Sequence, residues 1–592
     1  MPDLMTPTMG RPASRIDGER KTQGFKADPE AIKRRVSYLE TDASAYRDHC
    51  QEIVNYIVPF RADITSKQQA GVKKMQFIND STGTLALNFF GAGVSAKMCN
   101  AAIPWFDLKT QDDYLADNKD CKLWLDRVKR LFMNVFNRSN FYIADRVATI
   151  DDGAFGTAPM FVGEHPRWGC YYEPLSIGEV FIALDPYGQV DTVFRRYELT
   201  ARQIQTKWPD TCSGTVKSHT NKSNSPDQTL TIIHAVQPRT DRNPRKADKM
   251  NMAWESVYME LDTDQILQEG GFREFPYVIS RYDVASGEIY GRGPGMIALP
   301  DIKELQIRKR DTTKAGQLRL APPAILANEG FAGIPIKRTP WGFTFANLDA
   351  GKKMQDMVAS FPIPGDLGWT DTEMEQMRTQ IKAAFFYDLM LMAIQKEVTL
   401  GEFMELAQEK MQLLGPYVGR LQTERYNPLF DRTFNLLWDQ GKILAYCGPP
   451  PRELIGPDGE LKYKVEYVSP LAKAQKMAEV QGVVKAVGFI GQGAAIKPEI
   501  VDILDWDGAT RMVLESGGVP SKFILSPDEV KPIRDARAKA QQEAKQQEEL
   551  MQMASKIPAL SKEAGKGSLM DGINQSMRQG AGTATEPGVG NA

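Results

Sequence analysis

The sequence lacks the features of a secreted, disulfide-bonded or membrane-spanning protein. Its six cysteines are spread over 592 residues. None forms a CxxC pair, which predicts reduced thiols in a cytosolic product. The first residues, MPDLMTPTMGRPAS, contain no apolar core of a signal peptide. The most membrane-like run, residues 82–96, is too short to cross a bilayer and is followed by Lys97. We therefore predict no stable membrane insertion.

An excess of either charge is also missing. The chain carries 73 lysines and arginines against 75 aspartates and glutamates, a formal net charge of -2. Such a balance argues against a protein that binds nucleic acid over its whole surface, but it does not exclude a local ring of basic residues. The length predicts several domains.

Catalytic motifs are equally scarce. A phosphate-binding GxxxxGK[ST] loop is absent, and the run from Gly91 to Lys97 has neither its spacing nor the preceding strand. The four histidines show no HExxH or HxH spacing, and no GxSxG elbow occurs. The pairs Asp112–Asp113 and Asp151–Asp152 suggest a nuclease metal pair, but we interpret them as caps or solvated loop residues. We predict no catalytic residue, no metal and no cofactor.

Apolar periodicity divides the first half of the chain into helices followed by strands. Helices are predicted at about 28–58, 81–103, 117–137 and 141–153. Strands are predicted at 170–173, 179–184, 190–198, 230–237, 252–261 and 275–283. Thr200 is predicted to cap a short helix, and residues 210–228 are predicted as a polar loop. This order predicts an α+β protein with a largely antiparallel sheet.

A short insert between two helices follows. The first helix, about 296–320, is so polar that it is expected to be stable only when packed in an assembly. Its run Arg308–Lys309–Arg310 cannot lie on one face, because neighbours are about 100° apart. At least one of these residues is expected to pair with an adjacent subunit. A solvated surface is favoured over contact with DNA. The second helix is predicted to start at a capping box of Thr370 and Glu373.

Residues 398–442 carry the clearest helix start and stop signals in the chain, and they predict three consecutive helices. Thr399 and Glu402 form a capping box. Gly415–Pro416 predicts a kinked restart, and Asn427 is predicted as an N-cap with Pro428 at the first helical position. Gly441 is predicted as the stop. The result is a long helix that bends at two places.

Four segments of the sequence, in one order, resemble the head-to-tail connector, or portal, proteins of short-tailed bacteriophages. They are 191–203 (DTVFR and LTARQ), 290–303 (YGRGPG and LPDIK), 408–435 (QEKMQLLGP, GRLQ, PL and RTFN) and 467–475 (YVSPLAKAQ). Together they place the resemblance over roughly residues 30–480. One segment alone would be a weak signal, whereas four in order are specific.

The resemblance implies a portal-type fold, with a mainly helical stem, wing and crown, an antiparallel sheet in the wing and a small β-rich clip. The implied divisions are a wing at 28–293, a first stem helix at 294–320, a clip at 321–369, a second stem helix at 370–391, a tunnel loop at 392–401, a kinked wing helix with a returning strand at 402–468, a crown at 469–525 and a C-terminal, barrel-like helix at 526–560. Residues 1–27 and 561–592 are predicted to be disordered.

The implied function is a ring, usually of twelve identical subunits, at one capsid vertex of the virion. Double-stranded DNA is packaged and ejected through it, and the tail attaches to it. The implied partners are the major capsid protein, the terminase motor, tail adaptor or nozzle proteins, internal core or ejection proteins and non-specific double-stranded DNA in the channel. Assembly is expected in the host cytoplasm.

Candidate functional residues follow from the same resemblance. Those of the tunnel loop are Gln395, Lys396, Glu397, Val398 and Thr399. Those of the stem, at the channel or between subunits, are Arg308, Lys309, Arg310 and Lys314. The candidate hinges are Gly401, Gly415, Pro416 and Pro428. The alternative is a tail-adaptor or scaffold protein that does not conduct DNA, which would not need the helix–insert–helix arrangement. An enzyme acting on DNA or cell wall is a third hypothesis.

Overall fold

The structure is a computed structural model. It describes residues 27–61, 63–66, 71–102, 104–115, 118–221, 225–243, 245–246, 248–320, 324–326, 358–360, 367–390, 414–456, 461–467, 482–490, 505–516, 523–525 and 527–560. The chain divides into two compact units, one of Met1–Asp112 with Trp124–Val484 and one of Asp113–Leu123 with Lys485–Ala592. Helices and antiparallel sheets together confirm the predicted α+β class.

Helices form the N-terminal part of the described chain. They are α1 (Pro29–Asp42), α2 (Ser44–Tyr56), α3 (Thr82–Met98), α4 (Lys119–Arg138) and α5 (Phe141–Phe155). Asp28 caps α1 as predicted, because its carboxylate accepts the Glu30 N–H at 3.0 Å. The single helix predicted over 28–58 is wrong: it breaks at Ala43. Beside the break, the Thr41 and Ser44 hydroxyls hydrogen-bond to nearby carbonyls, a local alternative to the helical pattern.

Two antiparallel sheets follow α5. Their strands are β2 (Thr157–His165), β3 (Gly169–Pro174), β4 (Val180–Leu184), β5 (Val190–Thr200), β6 (Thr229–Pro238), β7 (Trp254–Glu260), β8 (Ile266–Phe272) and β9 (Tyr277–Arg281). A three-stranded sheet has the order β3-β2-β9, and a five-stranded sheet has the order β4-β5-β6-β7-β8. The prediction missed β2 and β8. Strand β8 carries Gly270 and Gly271, which weaken a strand pattern.

A helix lies where the polar loop 210–228 was predicted. Between β5 and β6 the chain forms α6 (Ala201–Lys207) and α7 (Gly214–Asn221). The Thr200 cap is confirmed, with a full capping box to Gln203. Cys212 and Val216 are buried in an apolar cluster with Trp208. Only one narrow face of α7 is apolar, so its composition alone indicates a loop.

The helix–insert–helix part is formed by α8 (Pro294–Leu320) and α9 (Leu367–Ala384), followed by the short α10 (Tyr387–Met390). The described strands of the insert, β10 (Ala324–Leu326) and β11 (Val358–Ser360), pair in antiparallel fashion. The predicted capping box at Thr370 is wrong, because α9 starts at Leu367 and Thr370 lies inside its first turns.

Further along the described part of the first unit lie the helices α11 (Gly415–Leu421), α12 (Asn427–Asp439) and α13 (Lys442–Cys447). A π-turn, Gln422–Tyr426, joins α11 to α12. Gly441 ends the run with a φ of 69°, as predicted. Strand β12 (Tyr463–Tyr467) pairs with β1 (Phe106–Thr110) in a sheet of their own. The strand was expected to return to the sheet formed by the strands at 170–283, and that expectation is wrong.

An aromatic core holds these elements together. Phe106, Phe132, Phe136 and Phe430 are almost fully buried, and their ring centroids lie 4.6–6.4 Å apart. They come from β1, α4 and α12. Phenyl rings in such edge-on and stacked arrangements add to the free energy of burial. This core attaches α12, which is distant in sequence, to the N-terminal helices.

The second unit contains α14 (Trp506–Ser516) and α15 (Pro527–Leu560). Asp505 caps α14, because its carboxylate accepts the N–H groups of Asp507 and Gly508. Arg534 on α15 forms an ion pair with Asp507 on α14 at 2.6 Å. The side chains of both partners are about half exposed, so this pair is screened by solvent.

Candidate functional site

The polar helix α8 is buried over its first half and exposed over its second. Met296, Leu299, Ile302 and Leu305 lie in the core, packed against neighbouring helices. From Ile307 onward, every residue of α8 is at least partly exposed. Apolar residues recur every three positions only in the first half, so only that half has a face to bury within the chain.

Arg308 lies at the transition and joins α8 to α9. Its Nε donates to Glu304 at 2.9 Å, and its Nη1 donates to Glu373 on α9. Arg310 is paired locally, with Nε 3.1 Å from an oxygen of Asp311. Two of the four predicted stem cations therefore have acidic partners within this chain.

The other two stem cations differ from Arg308 and Arg310. Lys309 is partly exposed and Lys314 is exposed. Neither makes an ion pair with any of the residues that the structure describes. Within the described part of the chain, no carboxylate neutralises the charge of these two lysines.

A second link fixes α8 and α9 to the start of α3. The Gln306 side chain is buried, accepts the N–H groups of Asn79 and Asp80 at 2.5 and 2.8 Å, and donates to the Asp80 carbonyl. The Asp80 carboxylate in turn accepts two hydrogen bonds from Arg378 on α9. Burial raises the pKa of Asp80, but hydrogen bonds from Thr82 and Arg378 outweigh it and lower the pKa.

The backbones of α5 and α8 lie very close together, and this explains why the start of α8 is rich in glycine. A Cβ at Gly293 would lie 2.5 Å from the Asp152 carbonyl oxygen, and one at Gly295 would lie 2.6 Å from that of Ala154. Gly156 ends α5 with a φ of 75° and also faces this segment. The GRGPG motif at 291–295 therefore serves close packing of two backbones.

The most deeply buried arginine in the described structure is Arg425, in the π-turn between α11 and α12. Its side chain is 1% exposed. The guanidinium donates to Asp152 at 2.5 Å, to Ser280 at 2.8 Å, to Thr149 at 2.9 Å and to Asp145 at 3.3 Å. One side chain thus joins the helical run to α5 and β9.

The π-turn also directs the preceding residue to the same strand. The Glu424 carboxylate accepts two hydrogen bonds from Arg281, one from the backbone N–H at 2.9 Å and one from Nη2 of the guanidinium at 2.8 Å. Consecutive residues of the turn therefore contact consecutive residues of β9, Ser280 and Arg281. In a regular α-helix neighbouring side chains point about 100° apart, and an inserted residue changes that geometry.

The pKa values of the carboxyl groups around Arg425 are shifted by their surroundings. Burial raises the pKa of Asp152 to about 6, although the charge of Arg425 opposes the shift. Burial raises the pKa of neighbouring Asp151 to about 7, opposed by Arg61, whose Nε lies 3.2 Å away. The pKa of Asp145 is raised for the same reason. The interpretation of Asp151–Asp152 as caps or solvated loop residues is therefore wrong.

Sequence reasoning did not single out Arg425. A signal was present, since this cation lies among Leu421, Tyr426 and Leu429, all of which are fully buried. A charge on an apolar helix face points to a buried partner. The partner cannot be identified from sequence, because Asp152 is 273 residues away.

The predicted hinges fall into three groups. Gly415 and Pro416 start α11 after Leu414, but the helix that was predicted to precede this kink lies outside the described residues, so the restart stays a prediction. Pro428 lies in the first turn of α12, but Asn427 is not its cap, because the backbone stays helical from Leu421 through Asn427. Gly401 and the capping box of Thr399 and Glu402 lie outside the described residues, as do all the tunnel-loop candidates: Gln395, Lys396, Glu397, Val398 and Thr399.

The described residues also bear on two other kinds of site. They contain no group of three or more His, Cys, Asp or Glu side chains that could hold a metal ion. None of their helices combines the length and apolar character needed to cross a membrane. The fold and these contacts define an α+β protein in which buried charges join helices to a sheet.

The chain belongs to the family of bacteriophage head-to-tail connecting proteins, which matches residues 29–525. It is 34% identical over 520 residues to a probable portal protein of Bordetella phage BPP-1, covering 86% of this chain and 91% of the relative. It is 30% identical over 528 residues to a portal protein of Salmonella phage epsilon15, covering 88% and 93%. Both relatives come from short-tailed phages, and the function that follows is that of a viral portal.

Proposed function

We propose that this chain is the repeating subunit of a closed ring, of twelve copies, at one vertex of the capsid. Double-stranded DNA enters through the ring during packaging, driven by a separate terminase, and leaves through it at infection. The tail attaches to its outer end. The observation that carries the proposal is the near full-length match to the connector family and to two portal proteins.

The proposal extends the family's divisions to this chain. Helices α8 and α9 form the stem, and the strand pair β10–β11 belongs to the clip. The sheets with α1–α5 form the wing, the crown follows β12, and α15 is the C-terminal helix. The tunnel loop at 392–401 then follows the second stem helix. Support comes from the order of the described elements, a helix, a short β insert and a second helix.

A ring needs one heterologous interface that is repeated until it closes. The exposed half of α8 supplies a candidate surface. Ile307 and Leu318 are about half exposed although they are large and apolar. Three helical turns separate them, so they share one face, on which Lys314 also lies. We assign this face to contact with the neighbouring subunit.

A DNA channel must allow sliding, so its grip must be weak, screened by salt and independent of sequence. The exposed part of α8 fits, because acidic residues neutralise Arg308 and Arg310 while Lys309 and Lys314 remain available. Channel contact by Lys309 and by Lys396 is part of the proposal, whereas Lys314 belongs to the face assigned to the neighbouring subunit. Capsid, tail and internal core proteins are the further partners. No catalytic role is proposed for any residue.

The first test is the oligomeric state of the purified full chain, measured by native mass spectrometry with electron-microscope images of the same sample. We expect closed rings of twelve subunits. Their central hole should be at least about 20 Å in diameter, which is wide enough to admit a DNA duplex. A solid assembly or a closed dimer would contradict the proposal and favour the adaptor or scaffold alternative.

The second test concerns the tunnel loop as a gate. A crosslink between cysteines introduced at residues 395 and 399 of neighbouring subunits would restrain it. We expect rings to assemble normally, while DNA passage or retention is impaired. Unchanged packaging by particles with a fully crosslinked loop would exclude the gate.

A further inference from the structure

The connection between β6 and β7 carries a group of cations that the proposed channel does not use. Between Pro238 and Trp254 it reads RTDRNPRKADKMNMA, with five lysines and arginines against two aspartates. Four of these cations, Arg242, Arg245, Lys246 and Lys249, have exposed side chains. We refer to these four residues as the basic loop. Its charge contrasts with the net charge of -2 of the whole chain.

The backbone around the basic loop is anchored. The Asn243 N–H donates to the Asn251 side chain at 2.9 Å, and the Arg245 N–H donates to the Asn243 side chain at 3.1 Å. At its base, Arg239 donates to the Gly270 carbonyl on β8 at 2.7 Å. The four cations therefore project from a frame held by polar side chains and by the edge of the sheet.

The charges of the basic loop are not neutralised within the described part of the chain. No carboxylate of a described residue forms an ion pair with any of the four cations, in contrast to Arg308 and Arg310 on α8. Asp248, which lies between them in sequence, accepts a hydrogen bond from the Asn251 amide instead. Positive charges without carboxylate partners among the described residues attract an anionic binding partner.

The surroundings distinguish between kinds of anionic partner. A protein partner would require apolar or aromatic anchors, which carry most of the binding energy at protein interfaces. Among the described residues between 188 and 296, the large hydrophobic side chains are buried or only partly exposed, and those beside the basic loop, Met250, Met252 and Trp254, are partly exposed. Single-stranded nucleic acid would likewise require exposed rings for base stacking. Binding by cations alone is typical of contact with the phosphates of a duplex.

We propose that the basic loop is a second DNA-contacting surface, separate from the stem helices, that binds the phosphate backbone of double-stranded DNA without sequence preference. Arginine forks and lysine ammonium groups both suit phosphate oxygens. The loop joins β6 to β7 of the five-stranded sheet and belongs to neither stem helix. The inference stands whether or not the ring has twelve subunits.

The test uses the full chain and a fluorescently labelled duplex of mixed sequence, with binding followed by anisotropy at several salt concentrations. The variant R242Q/R245Q/K246Q/K249Q removes the four charges. We expect roughly tenfold weaker binding at about 0.1 M salt, and a log–log salt slope smaller by about 0.9 for each phosphate that the variant no longer neutralises. Circular dichroism should show an unchanged Tm, since the side chains are exposed.

The matched control removes four exposed cations that have partners, K109Q/R130Q/R292Q/R534Q, with side chains 53–60% exposed. It changes the net charge equally and should leave the salt slope unchanged. Equal weakening in both variants would overturn the proposal in favour of overall charge. A glutamate-rich peptide is tested in the same way. If the basic-loop variant lost binding of this peptide but kept its binding of the duplex, the proposal would be overturned in favour of an acidic protein partner.

A second measurement locates the contact. All six native cysteines are buried, so a cysteine introduced by K246C can be labelled selectively with a photoactivatable crosslinker. We expect covalent capture of the duplex from this position and none from K109C. Absence of capture at residue 246, with capture elsewhere on the chain, would overturn the assignment.

Discussion

Arginine–carboxylate contacts occur in two contrasting regions of this protein. At Arg425 the cation and both aspartates are at most 1% exposed. At Arg308 the cation is 33% exposed and Glu304 is 49% exposed. The same chemical groups are therefore desolvated in one place and screened by water in the other. Burial, and not the number of ion pairs, decides which of these interactions hold the fold together.

The largest effect is expected from removing the buried cation. R425M leaves Asp145 and Asp152 buried without their partner, which should lower the free energy of unfolding by about 3–5 kcal/mol. Denaturant unfolding of the purified chain measures it. The matched variant R308M should change the free energy of unfolding by about 1 kcal/mol or less, because its pair is partly hydrated. Equal losses in the two variants would contradict the comparison.

A smaller effect is expected where α8 approaches α5. G293A places a methyl group against the Asp152 carbonyl and the Gly156 N–H, which are backbone atoms that cannot move separately. Overpacking of this kind costs about 1–3 kcal/mol. In the exposed half of the same helix, a Cβ at Gly316 would meet no atom within 4 Å. G316A should therefore stabilise the helix slightly, by up to about 1 kcal/mol. Destabilisation by both variants would show that steric approach to α5 is not what distinguishes the two positions.

The third prediction uses pH. Since burial raises the pKa of Asp151 to about 7 from 3.8, the folded state binds its proton more tightly than the unfolded state. This contribution therefore stabilises the fold at low pH and is lost as pH rises from about 4 to about 7. D151N, which imitates the protonated side chain, should raise Tm by a few degrees at pH values above 7 and leave it nearly unchanged near pH 4. Differential scanning calorimetry across this range measures it.

The pH dependence of stability expected from Asp80 has the opposite sign to that expected from Asp151. Hydrogen bonds and the charge of Arg378 outweigh burial and lower its pKa, so its stabilising contribution is present above the unfolded pKa and is lost as pH falls below it. D80N should lower Tm at neutral pH, and the difference from the unmodified chain should shrink in acid. Parallel pH profiles for D80N and D151N would contradict the assignment of opposite shifts.

The smallest effect is expected from the exposed stem cations. K309A and K314A remove charges without partners among the described residues, so the free energy of unfolding should change by less than about 0.5 kcal/mol. DNA passage through assembled particles should change instead in K309A if that side chain faces the channel, and ring assembly should change in K314A if that side chain lies between subunits. A stability loss comparable to that of R425M would show that they are buried by contacts within the chain.

Several elements followed from local sequence alone. Helix α4 was predicted within two residues at each end, because its apolar residues recur with helical spacing. The caps at Asp28 and Thr200, and the stop at Gly441, were also predicted. Capping depends on one side chain and the nearest backbone N–H groups, so the information lies within a few residues.

Other elements could not be predicted in this way. Helix α7 looks polar because its apolar partners, such as Trp208 and Leu267, belong to other elements. The Asn427 cap failed because the π-turn continues the helix through it, and that turn is held by contacts to β9. The positions of the tunnel-loop candidates remain predictions of the family resemblance.

The sequence by itself determined the α+β class, the polar character of α8 and the family, because each depends on residue type and order along the chain. Tertiary structure alone decided the roles of the charges. Asp151 and Asp152 have the same side chain as an exposed surface aspartate. Their raised pKa values arise because α5, β9 and the π-turn meet around them and exclude water.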